Sequence, residues 1–213
     1  MNISLLLTTI GATTGAASHF LLSHLRRGAT VHSGLLTLGM AALWAMAGWQ
    51  AARGHLPWWW LPVPLLVAWL AVTLTAVDLK HRRLPNALTL PAYPAIAAVV
   101  AVASTQAGWQ LARDALLGAT VLGGLYLTIH LLSPTSMGAG DVKLSGTQGA
   151  VMGAVGLPAV AVGTALAALL TLLLSALTPR RLREHWNTGV PHGPALLAAT
   201  YVIATFPAIQ PPS

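Results

Sequence analysis

Asp78 and Asp141 are the residues of this chain best placed to do chemistry. They are two of only four acidic residues in 213, and each stands where an apolar stretch gives way to a polar one. Asp78 opens Asp78-Leu79-Lys80-His81-Arg82-Arg83-Leu84-Pro85-Asn86, and Asp141 lies in Gly138-Ala139-Gly140-Asp141-Val142-Lys143-Leu144. An ionisable group at or near membrane depth is costly, so a functional role is the default reading there. Two carboxylates held close do not both ionise easily: one keeps a proton and the other acts as base. Such a pair can polarise a carbonyl and activate a water, as in the aspartic proteases, with no metal, cysteine or serine. It titrates as a unit.

The flanking residues suit that chemistry. Gly138 and Gly140 are expected to let the backbone turn sharply before Asp141 and to let a peptide approach closely. Asp141 is expected at a helix N-terminus, where the dipole favours its negative form. Pro85 ends the polar loop after Asp78 and suits the first turn of the next helix. Lys80, Arg82, Arg83 and Lys143 bring positive charge that opposes the effect of burial on the carboxylates. Taken singly, each residue also has an ordinary role. Asp141 can cap a helix, and Asp78 can be a solvated partner of Lys80 or Arg82. Asp114 reads as a first-turn helix acid beside Arg113, and Glu184 as part of a charged loop with Arg180, Arg181 and Arg183. The eight histidines show no metal spacing. His192 stands apart, in Val190-Pro191-His192-Gly193-Pro194. No metal and no cofactor are expected.

The rest of the chain reads as a membrane domain. Hydrophobic residues make up 55% and charged residues 7%, with a mean hydropathy of +0.71; soluble domains carry about 25% charged residues. The absence of cysteine excludes disulfides, cysteine nucleophiles and cysteine-ligated clusters. The net charge of +7 sits in short loops between apolar spans, which points to membrane topology and anionic lipid headgroups, not to nucleic acid. The first apolar run has no positive charge before it and reads as a retained anchor. The whole of 1–213 reads as one membrane domain.

A bilayer-spanning helix takes about 20 apolar residues. Seven stretches qualify: Ile3–Leu25, Leu35–Ala52, Trp58–Val77, Leu88–Ser104, Leu111–Leu132, Pro158–Leu177 and Pro194–Ala208. Val142–Leu157 is weaker and rich in Gly, Ala and Ser. If it does not cross, Lys and Arg divide evenly between the two sides. If it does, Arg26, Arg27, Lys80, Arg82, Arg83, Lys143, Arg180, Arg181 and Arg183 share one side, opposite Arg53 and Arg113. Cytoplasmic loops carry the excess of Lys and Arg. The expectation is therefore an all-α, polytopic fold of about eight transmembrane helices, with both termini outside and both aspartates at the cytoplasmic face. Trp58, Trp59 and Trp60 are expected in an interfacial aromatic belt, and Gly11-x-x-x-Gly15 and Gly149-x-x-x-Gly153 in close helix packing.

Taken together, the two aspartate motifs resemble those of the prepilin peptidases, or type IV leader peptidases. That family is marked by an Asp followed six residues later by a branched apolar residue, Pro and Asn, here Asp78 and Leu84-Pro85-Asn86. It is also marked by a later Gly-x-Gly-Asp before a Val-Lys-Leu-like stretch, here Gly138 to Leu144. Pro191-His192-Gly193-Pro194-Ala195-Leu196 is similar to the Pro-x-Gly-Pro-x-Leu that tends to open the family's last helix. The resemblance covers about Trp58 to Val202, with a peptidase core at about 58–208. It implies a multi-pass enzyme of the bacterial inner membrane with Asp78 and Asp141 as the catalytic pair. Gly138, Gly140 and Lys143, with Pro85 and Asn86, shape the site. The implied substrate is a prepilin or pseudopilin of a type IV pilus or secretion system, cleaved at the cytoplasmic face between a short basic leader and the hydrophobic segment. Larger members carry paired Cys-x-x-Cys motifs near the N-terminus and also methylate the new N-terminus. This chain has no cysteine and a first loop of only Arg26 to Gly34, so a peptidase lacking that zinc-bearing region is expected, without methyltransferase activity.

Other readings predict different placements. A presenilin-like intramembrane protease also uses Gly-x-Gly-Asp, but its other aspartate lies within a helix after Tyr, whereas Asp78 follows Val77 and borders a basic loop. A small transporter with a carboxylate proton relay would favour acidic residues in mid-span. A non-catalytic assembly partner would have no need of both aspartates.

Overall fold

The computed structural model describes residues 2–24, 32–81, 84–134, 137–178 and 191–207. These form eight helices and no strand: α1 (Ile3–His24), α2 (Ser33–Ala52), α3 (Pro62–His81), α4 (Asn86–Ala107), α5 (Trp109–Leu132), α6 (Ala139–Val155), α7 (Leu157–Leu177) and α8 (Gly193–Thr205). Helix is the expected answer for such a chain, because hydrocarbon offers the backbone no partner and each peptide group must be satisfied within its own segment. The protein is a polytopic helical membrane protein.

Six helices are long and apolar enough to cross a bilayer; α6 has 17 residues and α8 only 13. These two short helices are also the most enclosed, with more than half the residues of each buried. A helix wrapped by protein need not match the thickness of the lipid. The weak hydropathy of α6 has the same origin: its Gly, Ala, Ser and Thr face neighbouring helices and not lipid chains. Residues 179–190, which hold Arg180, Arg181, Arg183 and Glu184, lie outside the described residues, as do Arg26, Arg27, Arg82 and Arg83.

Close packing of small residues builds two helical hairpins. In α1–α2, a Cβ added at Gly15 would lie 2.6 Å from the Cα of Thr37, and one at Gly11 would lie 3.0 Å from the carbonyl of Met40. In α5–α6, a Cβ at Gly118 would lie 2.7 Å from the Cα of Gly153 and would also strike the Gly149 carbonyl. Both Gly-x-x-x-Gly pairs therefore serve ordinary helix packing. Gly108 (φ 94°) alone links α4 to α5, and Gly156 (φ 150°) alone links α6 to α7. A side chain at either would strain the positive-φ backbone that makes so short a turn.

The third helix starts later than its apolar run. Trp58, Trp59 and Trp60 lie in turns before Pro62. Trp58 is exposed, but Trp59 and Trp60 are buried. The Trp60 indole donates to the Ala204 carbonyl at 2.9 Å, tying the start of α3 to the end of α8. The expected aromatic belt is thus reduced to Trp58, since the other two rings gain more from the core. Asp114 is corrected in the same way. Because α5 begins at Trp109, Asp114 lies past the first turn, and its carboxylate pairs with Arg113 at 2.8 Å.

Candidate active site

Each aspartate is delivered by a helix end. Asp78 lies in the last turn of α3, the most enclosed of the six long helices, and its side chain is buried at 6% exposure. Asp141 lies in the first turn of α6, where its N–H reaches back to the Gly138 carbonyl at 3.0 Å. The two carboxylates thus approach from opposite helix ends, one near the outward-pointing carbonyls of α3 and the other near the free N–H groups of α6.

Gly193, the first residue of α8, is where they meet. A Cβ built on Gly193 would lie 3.2 Å from Asp78 Oδ2 and 3.2 Å from Asp141 Oδ1. The two oxygens are therefore no more than twice that distance apart, both facing the position that a Gly193 side chain would occupy. Two buried carboxylates so placed raise the cost of ionising both.

The motif residues brace this arrangement. Leu84 lies against Gly140, with its Cβ 3.2 Å from where a glycine Cβ would stand, and its Cδ1 comes within 3.6 Å of the same point at Gly193. The Lys143 ammonium donates to the Asn86 side-chain oxygen at 3.0 Å, and Tyr93 donates its hydroxyl to the Lys143 carbonyl at 2.8 Å. Pro85 is the N-cap of α4, one residue earlier than the expected first-turn position, and Asn86 is the first helical residue.

Gly138 and Gly140 act differently from expectation. Neither has a positive φ: Gly138 is the extended N-cap of α6 at φ −68°, and Gly140 lies within the helix. No sharp turn needs them. Gly140 provides space for Leu84, whereas a Cβ on Gly138 would meet only the Asp141 Oδ2, at an ordinary contact distance of 3.5 Å.

Two histidines hold the segments that lead into the site. The His192 ring has Thr171 Oγ1 at 2.8 Å from Nδ1 and the Tyr126 hydroxyl at 2.7 Å from Nε2. His130, one turn beyond Tyr126 on α5, donates Nδ1–H to the Met137 carbonyl at 2.8 Å, just before Gly138. One face of α5 thus holds the segments leading into both α6 and α8. Of the residues around the pair, Tyr126 is the one that sequence reasoning missed. Leu84 is visible in the sequence as the branched apolar position of the first motif, whereas Tyr126 carries no local signal. Among the described residues, no three His, Asp or Glu side chains cluster as a metal site.

An apolar groove of about 1150 Å³ lies between α2, α3 and α8. Ala76 and Leu79, which flank Asp78, and Pro194, which follows Gly193, belong to its wall.

The sequence pattern of the type IV leader peptidase family matches residues 65–177, more than half of the chain and including both aspartates. The chain belongs to this family. It is 32% identical over 155 residues to the prepilin leader peptidase/N-methyltransferases of Aeromonas salmonicida (strain A449) and Aeromonas hydrophila. That stretch covers 68% of the chain and 50% of each relative, so the chain spans about half the length of the curated relatives it matches. No solved structure matches. It is thus a type IV leader peptidase family member with six helices long and apolar enough to cross a bilayer. The family match ends before α8, so Gly193 enters the site from a part of the chain that the match does not cover.

Proposed function

We propose that this family member is an aspartic endopeptidase whose catalytic pair is Asp78 and Asp141, and that it removes the short basic leader from type IV prepilin or pseudopilin precursors at the cytoplasmic face of the bacterial inner membrane. The convergence of the two carboxylates on Gly193 carries this reading. One carboxyl group holds a proton and donates a hydrogen bond to the scissile carbonyl oxygen. The other, ionised, takes a proton from a water as that water attacks the carbonyl carbon. The tetrahedral intermediate collapses with cleavage of the C–N bond, and the departing amine takes up a proton, which returns the pair to its starting state.

Gly138, Gly140, Pro85, Asn86 and Lys143 hold this geometry without joining the reaction. The groove beside Asp78 offers the hydrophobic segment of the substrate an apolar wall next to the scissile bond. Arg and Lys distribution supports eight crossings, with the Asp78 and Asp141 ends cytoplasmic. A transporter relay is disfavoured because both acids stand at helix ends and not at mid-span.

Co-expression with a candidate prepilin tests this reading, with leader removal followed by gel shift and N-terminal sequencing. Wild type should cleave, and Asp78→Asn and Asp141→Asn should each lose more than about 10³-fold in rate, because the two act as a unit. Cleavage that survives both substitutions at equal membrane abundance would return the aspartates to capping and loop roles.

A further inference from the structure

His192 stands next to Gly193, and its own carbonyl accepts the N–H of Leu196 to begin α8. Pro191 and Pro194 restrict φ on either side. The position of the His192 ring therefore bears directly on where the bare Gly193 backbone lies beside the carboxylates.

The hydrogen bonds assign the ring's tautomer. Thr171 Oγ1 lies 2.8 Å from the Ala167 carbonyl oxygen. Two oxygens that close need a proton between them, and the carbonyl has none, so the threonine proton is spent there. Toward His192, 2.8 Å away, Thr171 can then only accept, and Nδ1 must carry a proton. In a neutral imidazole Nε2 is then an acceptor, and the Tyr126 hydroxyl donates to it at 2.7 Å. Every polar atom of the ring is satisfied in this one state. Burial acts in the same direction and pushes the imidazole below its ordinary pKa.

We propose that His192 is a positioning residue: clamped in its neutral Nδ1–H form between Thr171 of α7 and Tyr126 of α5, it fixes Gly193 beside the Asp78–Asp141 pair. The inference rests on the peptidase reading for its effect on turnover, but the clamp itself does not. Among the described residues, the ring's hydrogen-bonding neighbours are Tyr126 of α5, itself within electrostatic reach of Asp141 of α6, and the Thr171 hydroxyl of α7, while Asp78 and Asp141 both adjoin the neighbouring Gly193. Protonation would turn Nε2 into a second donor aimed at a hydroxyl that already donates. Tyr126 would have to turn its proton away, and a buried cation would stand beside a pair that works with one negative charge. Acid should therefore inactivate through His192 as well as through the aspartates.

Two measurements test the clamp. Histidine-labelled NMR of the purified full chain in micelles reads the ring without any substrate, with the His192 signals identified by their loss in His192→Gln. Neutral Nδ1–H at neutral pH, losing that bias in Thr171→Val, is expected; an Nε2–H or charged ring in wild type overturns the clamp. In the cleavage assay, His192→Gln and Thr171→Val should each lower kcat about 10- to 100-fold with little change in KM, the scale expected for a slightly misplaced catalytic group. Their combination should be no worse than either alone, since both act through one ring. His192→Gln should also shift the acid limb of the pH profile. Wild-type kcat and an unmoved acid limb would overturn the positioning role. Failure of wild type to cleave any prepilin would overturn the peptidase reading instead, and would leave the NMR result to decide the clamp.

Discussion

Lys143 of α6 donates its ammonium to the side-chain oxygen of Asn86 at the start of α4, 3.0 Å away. The contact joins the two aspartate motifs, since Asn86 closes the motif that Asp78 opens and Lys143 follows Asp141 by two residues. Both side chains are exposed, so the bond is screened and modest, worth up to about 1 kcal/mol. Lys143→Met and Asn86→Ala should each reduce kcat/KM only about two- to fivefold, and the double variant should do no more than either alone. A loss as deep as that expected for the aspartate variants would mean that Lys143 touches the reacting peptide, which steady-state kinetics would reveal.

Gly193→Ala should separate space from folding. The added methyl would stand 3.2 Å from one oxygen of each carboxylate, and backbone φ there imposes no further strain. Cleavage should fall about 100-fold, as for a reactant displaced by roughly one ångström, while thermal stability changes little. Gly124→Ala is the control, because a Cβ there meets nothing within 4 Å. It should leave cleavage unchanged and stabilise α5 by up to about 1 kcal/mol.

The α5–α6 hairpin should be the most sensitive part of the bundle to small-to-large change. Gly118→Ala would place a methyl 2.7 Å from the Cα of Gly153, so the helices must separate. A cost of about 1–3 kcal/mol is expected from overpacking, read as a lower midpoint in thermal unfolding in detergent. Activity should fall further than stability alone predicts, because α6 carries Asp141.

Trp60→Phe removes one buried hydrogen bond and part of a fully buried ring. The Ala204 carbonyl loses its indole donor, which should cost about 1–3 kcal/mol. Near-normal kcat in the surviving folded fraction is the expected result, since the bond lies at the end of α8 away from Gly193.

His192 also predicts how stability depends on pH. Its imidazole is held below its ordinary value by burial, so between the folded and unfolded values the unfolded chain binds more protons. Its contribution is complete above the unfolded value of about 6.5 and is lost as pH falls from there through the folded value. Thermal midpoints measured across that window should drop faster for wild type than for His192→Gln. Parallel curves would show that the ring's charge does not matter to folding.

Much of this protein is legible along the chain because hydropathy and motif spacing are local properties. Apolar length alone marks the membrane helices, and the motifs around Asp78 and Asp141 mark the family. Three-dimensional packing decided the remainder. The late start of α3 follows from burial of Trp59 and Trp60, which gain more from the core than from the interface. Gly140 looks like a turn glycine in sequence, yet the space needed by Leu84 is what calls for it. Above all, the meeting of Asp78, Asp141 and Gly193 joins three helix ends far apart in sequence. No periodicity encodes it: it depends on how closely the glycine faces of α5 and α6 approach, and on α8 packing most of its residues inside the bundle.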